Sequence, residues 1–203
     1  MRKIILALSL ACSSTALSKS GAGGGSTSAG NRDSSWGTVM AGPGLSGNEG
    51  VFARGAIGLN ITHLVTVEAY SSNSVNVDSQ VQAEGARLMV FPGNSFYVAG
   101  GYERRRIFRS DDWNSVFGGT STRDVIKDRG IALSVGNRWQ WTHFVMGCDW
   151  YGTFKRQHRD SSQRLSYTGT GADETIVGAE AFEGAAYFSN DTRFLQLTLG
   201  VPF

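Results

Sequence analysis

The chain has 203 residues, enough for one domain of ordinary size and too few for two large ones. Its 27 glycines with only 3 prolines exclude a proline-rich tail, and its 40% hydrophobic and 11% aromatic residues exclude a disordered chain. The 19 Lys and Arg include Arg2 and Lys3, which lie in a segment that we assign to an export signal, so 17 remain against 17 Asp and Glu. A mature chain without net positive charge lacks the main sequence feature of nucleic-acid binding, and we predict no nucleic-acid partner.

The N-terminus predicts a cleaved export signal over residues 1–18. Arg2 and Lys3 form a positive beginning, residues 4–11 form a short apolar run, and residues 16–18 fit a small-x-small cleavage site. The apolar run is too short to span a bilayer as a helix. The sequence therefore predicts a protein that leaves the cytoplasm.

The next segment, residues 19–33, is small, polar and glycine-rich, and predicts a flexible linker. A lipoprotein signal with an acylated Cys12 is the alternative to simple cleavage, although Ser9 stands where such signals carry an aliphatic residue. Removal of the signal would leave Cys148 as the single cysteine, which excludes an internal disulfide.

Eight segments with period-two alternation of polarity follow, and each predicts a β-strand. The last is the clearest, because five alternate residues from Leu195 to Phe203 are apolar. In the fourth segment Arg87 falls on the apolar parity, so a bulge near Gly85 is expected to correct the phase. The predicted strands span residues 34–43, 50–60, 64–72, 79–91, 95–107, 128–137, 143–155 and 193–203.

The polar face of these strands favours a membrane β-barrel over a soluble sandwich. It mixes glycines with charges of both signs, as the narrow interior of an eight-stranded barrel requires. The connections also alternate: residues 61–63, 92–94 and 138–142 are short, whereas 73–78, 108–123 and 156–192 are long, as in barrels with short periplasmic turns and long outer loops. We expect six charged side chains to point into the lumen and pair there: Arg54, Glu68, Glu103, Arg105, Asp149 and Lys155.

Aromatic residues cluster near the predicted strand ends, which is typical of the two girdles of an outer-membrane barrel. The periplasmic group comprises Phe91, Phe96, Trp139, Trp141, Phe144 and Phe203. The outer group comprises Tyr70, Tyr102, Phe108, Trp150 and Phe154.

The chain resembles the small eight-stranded outer-membrane barrels of the OmpX type and the transmembrane domain of OmpA. The resemblance rests on the export signal, the terminal strand FLQLTLGVPF ending in Phe203, and the segments 136–141 and 147–150. It implies an all-β, antiparallel, up-and-down transmembrane barrel over residues 34–203 in the bacterial outer membrane. It also implies that the barrel-insertion machinery reads Phe203 as an assembly signal.

The residues predict no catalytic site, no metal site and no cofactor. His63 and His143 fall in the predicted short turns, and only His158 lies on the outer side, where Asp160 and neighbouring serines would have to complete a lipid A-modifying site. The three histidines are too dispersed to hold a metal.

Basic residues concentrate at the outer ends of three consecutive predicted strands, at the level of the phosphorylated lipid of the outer leaflet. Arginine binds phosphate bidentately, so we predict lipopolysaccharide contact at this rim. The predicted rim comprises Arg104, Arg106, Arg109, Arg123, Lys127, Arg129, Arg156 and Arg159.

The function expected from these features is that of a non-enzymatic structural or surface-interaction barrel with membrane lipids and lipopolysaccharide as partners. A small porin-like channel, a lipid A-modifying enzyme and a lipid-binding oligomeric membrane module are the alternatives. The sequence leaves open the protein partner, homo-oligomer formation, and whether residues 173–188 of the last outer loop form a helix or extend the sheet.

Overall fold

A computed structural model describes residues 27–47, 50–75, 79–111, 121–167, 175–178 and 190–203. The proposed signal peptide, including Cys12, lies outside these residues. The described part contains one short helix and nine strands: α1 (Ser28–Ser34), β1 (Gly37–Ser46), β2 (Gly50–Thr62), β3 (Val65–Val75), β4 (Ser79–Val90), β5 (Phe96–Asp111), β6 (Ser121–Gln140), β7 (Val145–Tyr167), β8 (Thr175–Gly178) and β9 (Asn190–Pro202).

Eight of these strands form a closed antiparallel barrel. Strands β1 to β7 pair in chain order, and β9 pairs with both β7 and β1. The backbone carbonyl of Phe203 accepts hydrogen bonds from the N–H groups of Trp36 at 2.7 Å and Gly37 at 3.1 Å, so the last residue is fixed to the beginning of β1. The predicted eight-stranded up-and-down barrel is confirmed.

The two ends of the barrel differ in the length of their connections. At one end, termed the turn end, residues 63–64, 91–95 and 141–144 join neighbouring strands. At the other, termed the loop end, β6 reaches 20 residues and β7 reaches 23, so both are longer than expected from the alternation. Parts of the expected long loops, residues 121–123 and 156–167, are therefore strand.

The short strand β8 pairs with β7 beyond the closed barrel, where Leu165 lies opposite Ile176. Of the segment 173–188, the described residues thus extend the sheet rather than form a helix. The other residues of that segment lie outside the described part of the chain.

Burial is inverted relative to a water-soluble protein. Leu199 and Val98 are 56% and 48% exposed on the outer face, whereas Glu68 and Glu103 are 1% and 0% exposed in the interior. Charged side chains are almost never fully buried unless they are paired, and large exposed apolar patches normally mark a binding or lipid-facing surface. The alternation along each strand thus assigns polar groups to the lumen and apolar groups to the outer wall.

Irregularities in the strand ladders change which residues face the lumen, and two of them lie in the middle of β7 and β9. In β7, Asp149 pairs with Gly136 and Tyr151 with Val135, so Trp150 is an extra residue in the ladder with β6. In β9, Leu195 has a φ of 45°, and the register with β1 shifts at this position. A bulge of one residue exchanges the faces of everything beyond it.

The expected bulge near Gly85 is wrong. The registers of β4 with β3 and β5 run without interruption, and Val81, Arg87 and Met89 all point inward with at most 6% exposure. The expectation failed because it assigned all apolar positions to lipid. A narrow barrel also fills part of its interior with apolar side chains.

The predicted aromatic girdles are correct in part. Tyr70, Phe91 and Phe154 are buried inside the barrel, contrary to the prediction, with exposures of 6%, 0% and 1%. Five other predicted members lie on the outer surface: Phe96, Tyr102, Trp141, Phe144 and Trp150.

The predicted linker is wrong over its last residues, because residues 28–33 belong to α1. The side chain of Thr27 caps this helix by accepting a hydrogen bond from the N–H of Gly30, and Ser28, Asn31 and Arg32 are buried. No helix among the described residues has the length and apolar character needed to cross a bilayer. The glycine-rich composition did not reveal α1, because its docking depends on polar contacts rather than on an apolar face.

Candidate functional site

The lumen near the turn end holds five charged side chains, termed the lower network: Arg54, Glu68, Arg87, Arg138 and Asp149. Glu68 accepts from Arg54 at 2.9 Å and from Arg87 at 2.8 Å, and it also pairs with Arg138. Asp149 pairs with Arg87 at 2.6 Å and with Arg54 at 3.7 Å. Three cations thus share two carboxylates in the lower network.

The lumen near the loop end holds four more charges, termed the upper network: Glu103, Arg105, Asp191 and Arg193. Both terminal nitrogens of Arg193 donate hydrogen bonds to Glu103, at 2.7 and 2.9 Å. This bidentate geometry gives strong, directional bonds. Arg105 bridges Glu103 at 2.5 Å and Asp191 at 3.2 Å. Two cations balance two carboxylates here.

Tyr70 connects the two networks across the lumen, and Tyr97 adds a hydrogen bond to the lower network. The hydroxyl of Tyr70 donates to Glu103 at 2.6 Å, while Arg54 lies 3.6 Å from the centre of its ring. Tyr97 donates to Asp149. A cavity of only about 20 Å³, lined in part by Arg54 and Arg193, lies between the networks and has room for about one water molecule. The described side chains therefore fill the interior at this level.

The structure places five of the six expected lumen charges inside the barrel: Arg54, Glu68, Glu103, Arg105 and Asp149. The expectation for Lys155 is wrong, because this residue is exposed on the outer wall, opposite Ile131. Lys155 lies six residues after Asp149, so uninterrupted alternation would place both side chains in the lumen. The extra residue at Trp150 reverses the faces of β7, so that Phe154 enters the lumen and Lys155 leaves it.

Five lumen charges were missed by the sequence interpretation: Arg87, Asp128, Arg138, Asp191 and Arg193. The parity of Arg138 with Gly136 on the polar face would have been sufficient to find it. Arg87 shares its parity with Gly85, which also marked the lumen face. The adjacent apolar residues Phe194 and Leu195 break strict alternation, and that break is the signal for the bulge that turns Arg193 inward.

At the turn end, α1 covers the mouth of the lumen. Arg32 is 1% exposed, donates from Nε to the carbonyl of His63 at 2.9 Å and from Nη2 to the carbonyl of Asn94 at 2.8 Å, and lies over the ring of Phe91 at 3.8 Å. Burial, reinforced by the nearby positive charge of Arg138, lowers the pKa of Arg32 to about 10. Arg32 is therefore still charged at neutral pH.

A second polar link fixes α1 to the end of β6. The side chain of Asn31 donates to the carbonyl of Gln140 at 2.8 Å, and the backbone N–H of Gln140 donates to the hydroxyl of Ser28 at 3.1 Å. These bonds join residues more than 100 positions apart, so the closure of the turn end requires the finished barrel.

On the outer wall near the loop end, four basic residues form two cross-strand pairs, termed the basic patch. Arg104 lies opposite Arg129, and Arg106 lies opposite Lys127. Arg104 and Arg106 are exposed, and Lys127 and Arg129 are half-buried. Glu84 is the register neighbour of Arg104 on the other side.

The other four predicted rim residues do not extend this patch in the described structure. Arg156 lies opposite the inward-facing Gly130, because the extra residue at Trp150 reverses the faces of β7. A further extra residue at Gln157 brings Arg159 opposite the buried Asp128, with which it pairs at 2.8 Å. The prediction that Arg156 and Arg159 belong to the outer rim is therefore wrong. The side chains of Arg109 and Arg123 lie outside the described part of the chain.

The histidines are not brought together. His63 and His143 lie in the connections of the turn end, and His158 lies exposed in β7 opposite Arg129. Among the described residues, no group of three or more His, Cys, Asp or Glu side chains could hold a metal ion. The side chains of residues 160–162, which a catalytic role of His158 would need, lie outside the described part.

Comparison with solved structures supports the fold. The chain is similar to the N-terminal β-barrel domain of Pseudomonas aeruginosa OprF, with 12% identity and a TM-score of 0.50 over 83% of this chain and 98% of that one. It also matches Acinetobacter baumannii CarO, with 10% identity and a TM-score of 0.40 over 83% of this chain and 97% of that one. No family model and no curated protein matches the chain.

Proposed function

We propose that this protein is a non-enzymatic barrel of the bacterial outer membrane with a structural or surface-interaction role. The observation that carries the proposal is the inverted burial: a charged, closed interior within an outer wall of half-exposed Leu, Val, Ile and aromatic side chains. An outward apolar band with a polar interior is the pattern of outer-membrane barrels. The similarity to the OprF barrel domain supports the fold in which this pattern is embedded.

Membrane fractionation tests the location. The full-length protein should remain with the outer membrane after a wash at high pH, and unboiled samples should migrate differently from boiled ones in a denaturing gel. Recovery in the periplasmic supernatant would contradict the proposal.

The lumen favours a structural role over a channel. The lower and upper networks cross the interior, and α1 covers the turn end. Planar-bilayer recordings of the purified full chain should show no discrete conductance steps at moderate voltage. Reproducible openings of uniform size would favour the channel instead.

The basic patch supports lipopolysaccharide contact at the outer wall. Arg104, Arg106, Lys127 and Arg129 extend beyond apolar outward residues of the same strands, such as Tyr102 and Ile131. Guanidinium groups match phosphate oxygens in charge and geometry, and each basic side chain near an anionic membrane surface contributes roughly 1 kcal/mol. The expected ligand is therefore the phosphorylated lipid of the outer leaflet.

A four-residue variant tests this contact. Changing Arg104, Arg106, Lys127 and Arg129 to Gln should reduce copurified lipopolysaccharide at least tenfold, while the protein keeps its heat-modifiable gel shift. Arg156→Gln is the control, because it removes the same kind of charge from the same end but on the inward face. Wild-type lipid retention by the folded four-residue variant would refute the contact.

A further inference from the structure

The cavity between the lower and upper networks has open space on the inward side of Gly152. Its volume of about 20 Å³ exceeds the roughly 10–15 Å³ that one water molecule needs. A side-chain carbon on Gly152 would lie 3.5 Å from the carbonyl oxygen of Leu133, 3.6 Å from Cβ of Ser134 and 3.7 Å from Cβ of Arg193. These are ordinary van der Waals distances between residues that all line the cavity, so the space can hold an atom slightly larger than a water molecule.

The charges around this cavity do not balance. Three guanidinium groups line it, those of Arg54, Arg87 and Arg193, whereas Asp149 is the carboxylate among its described lining residues. Three arginines share two carboxylates in the lower network and two share two in the upper network, so one positive charge is left over. Burying a charge without a counter-charge is strongly unfavourable, so a single negative charge would stabilise the interior.

The lining residues also supply hydrogen-bond donors that an anion can use. Nε of Arg54 is buried and has no hydrogen-bond partner among the described residues. The amide oxygen of Gln196 accepts from Arg54 at 3.2 Å, so the N–H groups of this amide are the part that can donate elsewhere. The hydroxyl oxygen of Ser134 accepts from Arg87 at 2.8 Å and can donate its own proton. Donors from β2, β6 and β9 therefore surround the same small space.

We propose that this cavity binds one monovalent, monatomic anion of the chloride class between the two networks. Its volume is too small for an oxyanion such as phosphate. Asp149 does not exclude the ion, because its carboxylate already accepts from Arg87 at 2.6 Å and from the hydroxyl of Tyr97. A water molecule would fit the same space but would leave the surplus charge uncompensated. The bound halide is independent of the outer-wall contact with lipid.

Bromide identifies the ion directly. Crystals of the full-length protein grown with sodium bromide should show an anomalous peak inside the cavity, in contact with Nε of Arg54 and adjacent to Gly152. An ordered water at this position, without anomalous signal, would overturn the proposal.

Stability measurements test whether the ion belongs to the folded protein. Replacing sodium gluconate by sodium chloride at constant ionic strength should raise the thermal unfolding midpoint in detergent, by roughly 3–6 °C at ten times the dissociation constant. Gly152→Ala, which places a methyl group in the cavity, should abolish this rise, and Ser134→Ala, which removes a donor, should reduce it. Gly55→Ala is the matched control, because Gly55 is also a strand glycine but faces outward, where an added side-chain carbon meets no atom within 4 Å.

The outcomes separate clearly. Loss of the chloride response in Gly152→Ala, with retention in Gly55→Ala, supports the site. An equal response in the wild type and all three variants overturns it, and so does a bromide peak without chloride-dependent stabilisation, which would show an adventitious ion only. Each variant is first checked for the heat-modifiable gel shift, so the comparison is made among folded barrels.

Discussion

The bidentate pair between Glu103 and Arg193 offers the sharpest test of the charged lumen. Replacing Glu103 by Gln removes the carboxylate that accepts two bonds from Arg193, one from Arg105 and one from Tyr70. Asp191 then remains as the one carboxylate of the upper network beside two guanidinium groups. Removal of one partner from a buried pair costs about 3–5 kcal/mol, and we expect Glu103→Gln to lie in this range.

The loss of unfolding free energy in the double variant should be smaller than the sum of the losses in the two single variants. When Glu103 and Arg193 are both Gln, Arg105 and Asp191 remain as a balanced pair at 3.2 Å. We therefore expect the two substitutions to be coupled by about 2 kcal/mol, within the range found for residues in direct contact.

Equilibrium unfolding in urea provides the measurement, with the protein folded in detergent micelles and followed by gel shift and tryptophan fluorescence. Glu84 and Arg104 supply a matched cycle, because they are also a glutamate and an arginine opposite each other on β4 and β5 but face outward. Their coupling should be about 0–1 kcal/mol, as for exposed pairs. Equal coupling in the two cycles would refute the claim that the lumen charges are held in a poorly solvated interior.

Four further outcomes are expected. Leu133→Arg, in the middle of the apolar outer wall, should cost about 2–4 kcal/mol in the same assay, and a negligible cost would contradict a lipid-facing position. Arg32→Met removes two charge-assisted bonds to turn carbonyls and should destabilise the barrel by about 2–3 kcal/mol, whereas an unchanged urea midpoint would mean that α1 is not docked in solution. Deleting Phe203 removes the bonds that fix the last residue to β1, and the yield of heat-modifiable protein in the outer membrane should fall; an undiminished yield would count against its role in assembly. A cysteine at Gly47 should react with a membrane-impermeant thiol reagent on intact cells and one at Gly93 should not, in a background without the native cysteines, and the reverse labelling would invert the topology.

The local sequence was sufficient to predict the eight strands, because period-two alternation is a property of each strand alone. Residues 195–203 show this directly, since every second side chain is apolar and identifies a face without knowledge of the neighbouring strand. The alternation of short and long connections then distinguished the two ends of the barrel. The antiparallel barrel followed because eight such strands cannot leave two open edges in a membrane.

The tertiary structure decided which side chains enter the lumen and which charges meet. Trp150 and Leu195 add residues to the ladders, and such a shift depends on the pairing of neighbouring strands rather than on the strand itself. This is why Lys155 was assigned to the lumen and Arg193 was not.

The docking of α1 was likewise invisible in the sequence. Its contacts are polar bonds from Arg32 and Asn31 to carbonyls of distant turns, which exist only after the strands have closed. A glycine-rich segment without an apolar face carries no periodic signal of such docking. Barrel closure also brings Thr38, Gly58 and Arg138 together from three strands, because strand register, and not sequence spacing, sets the neighbours of an inward side chain.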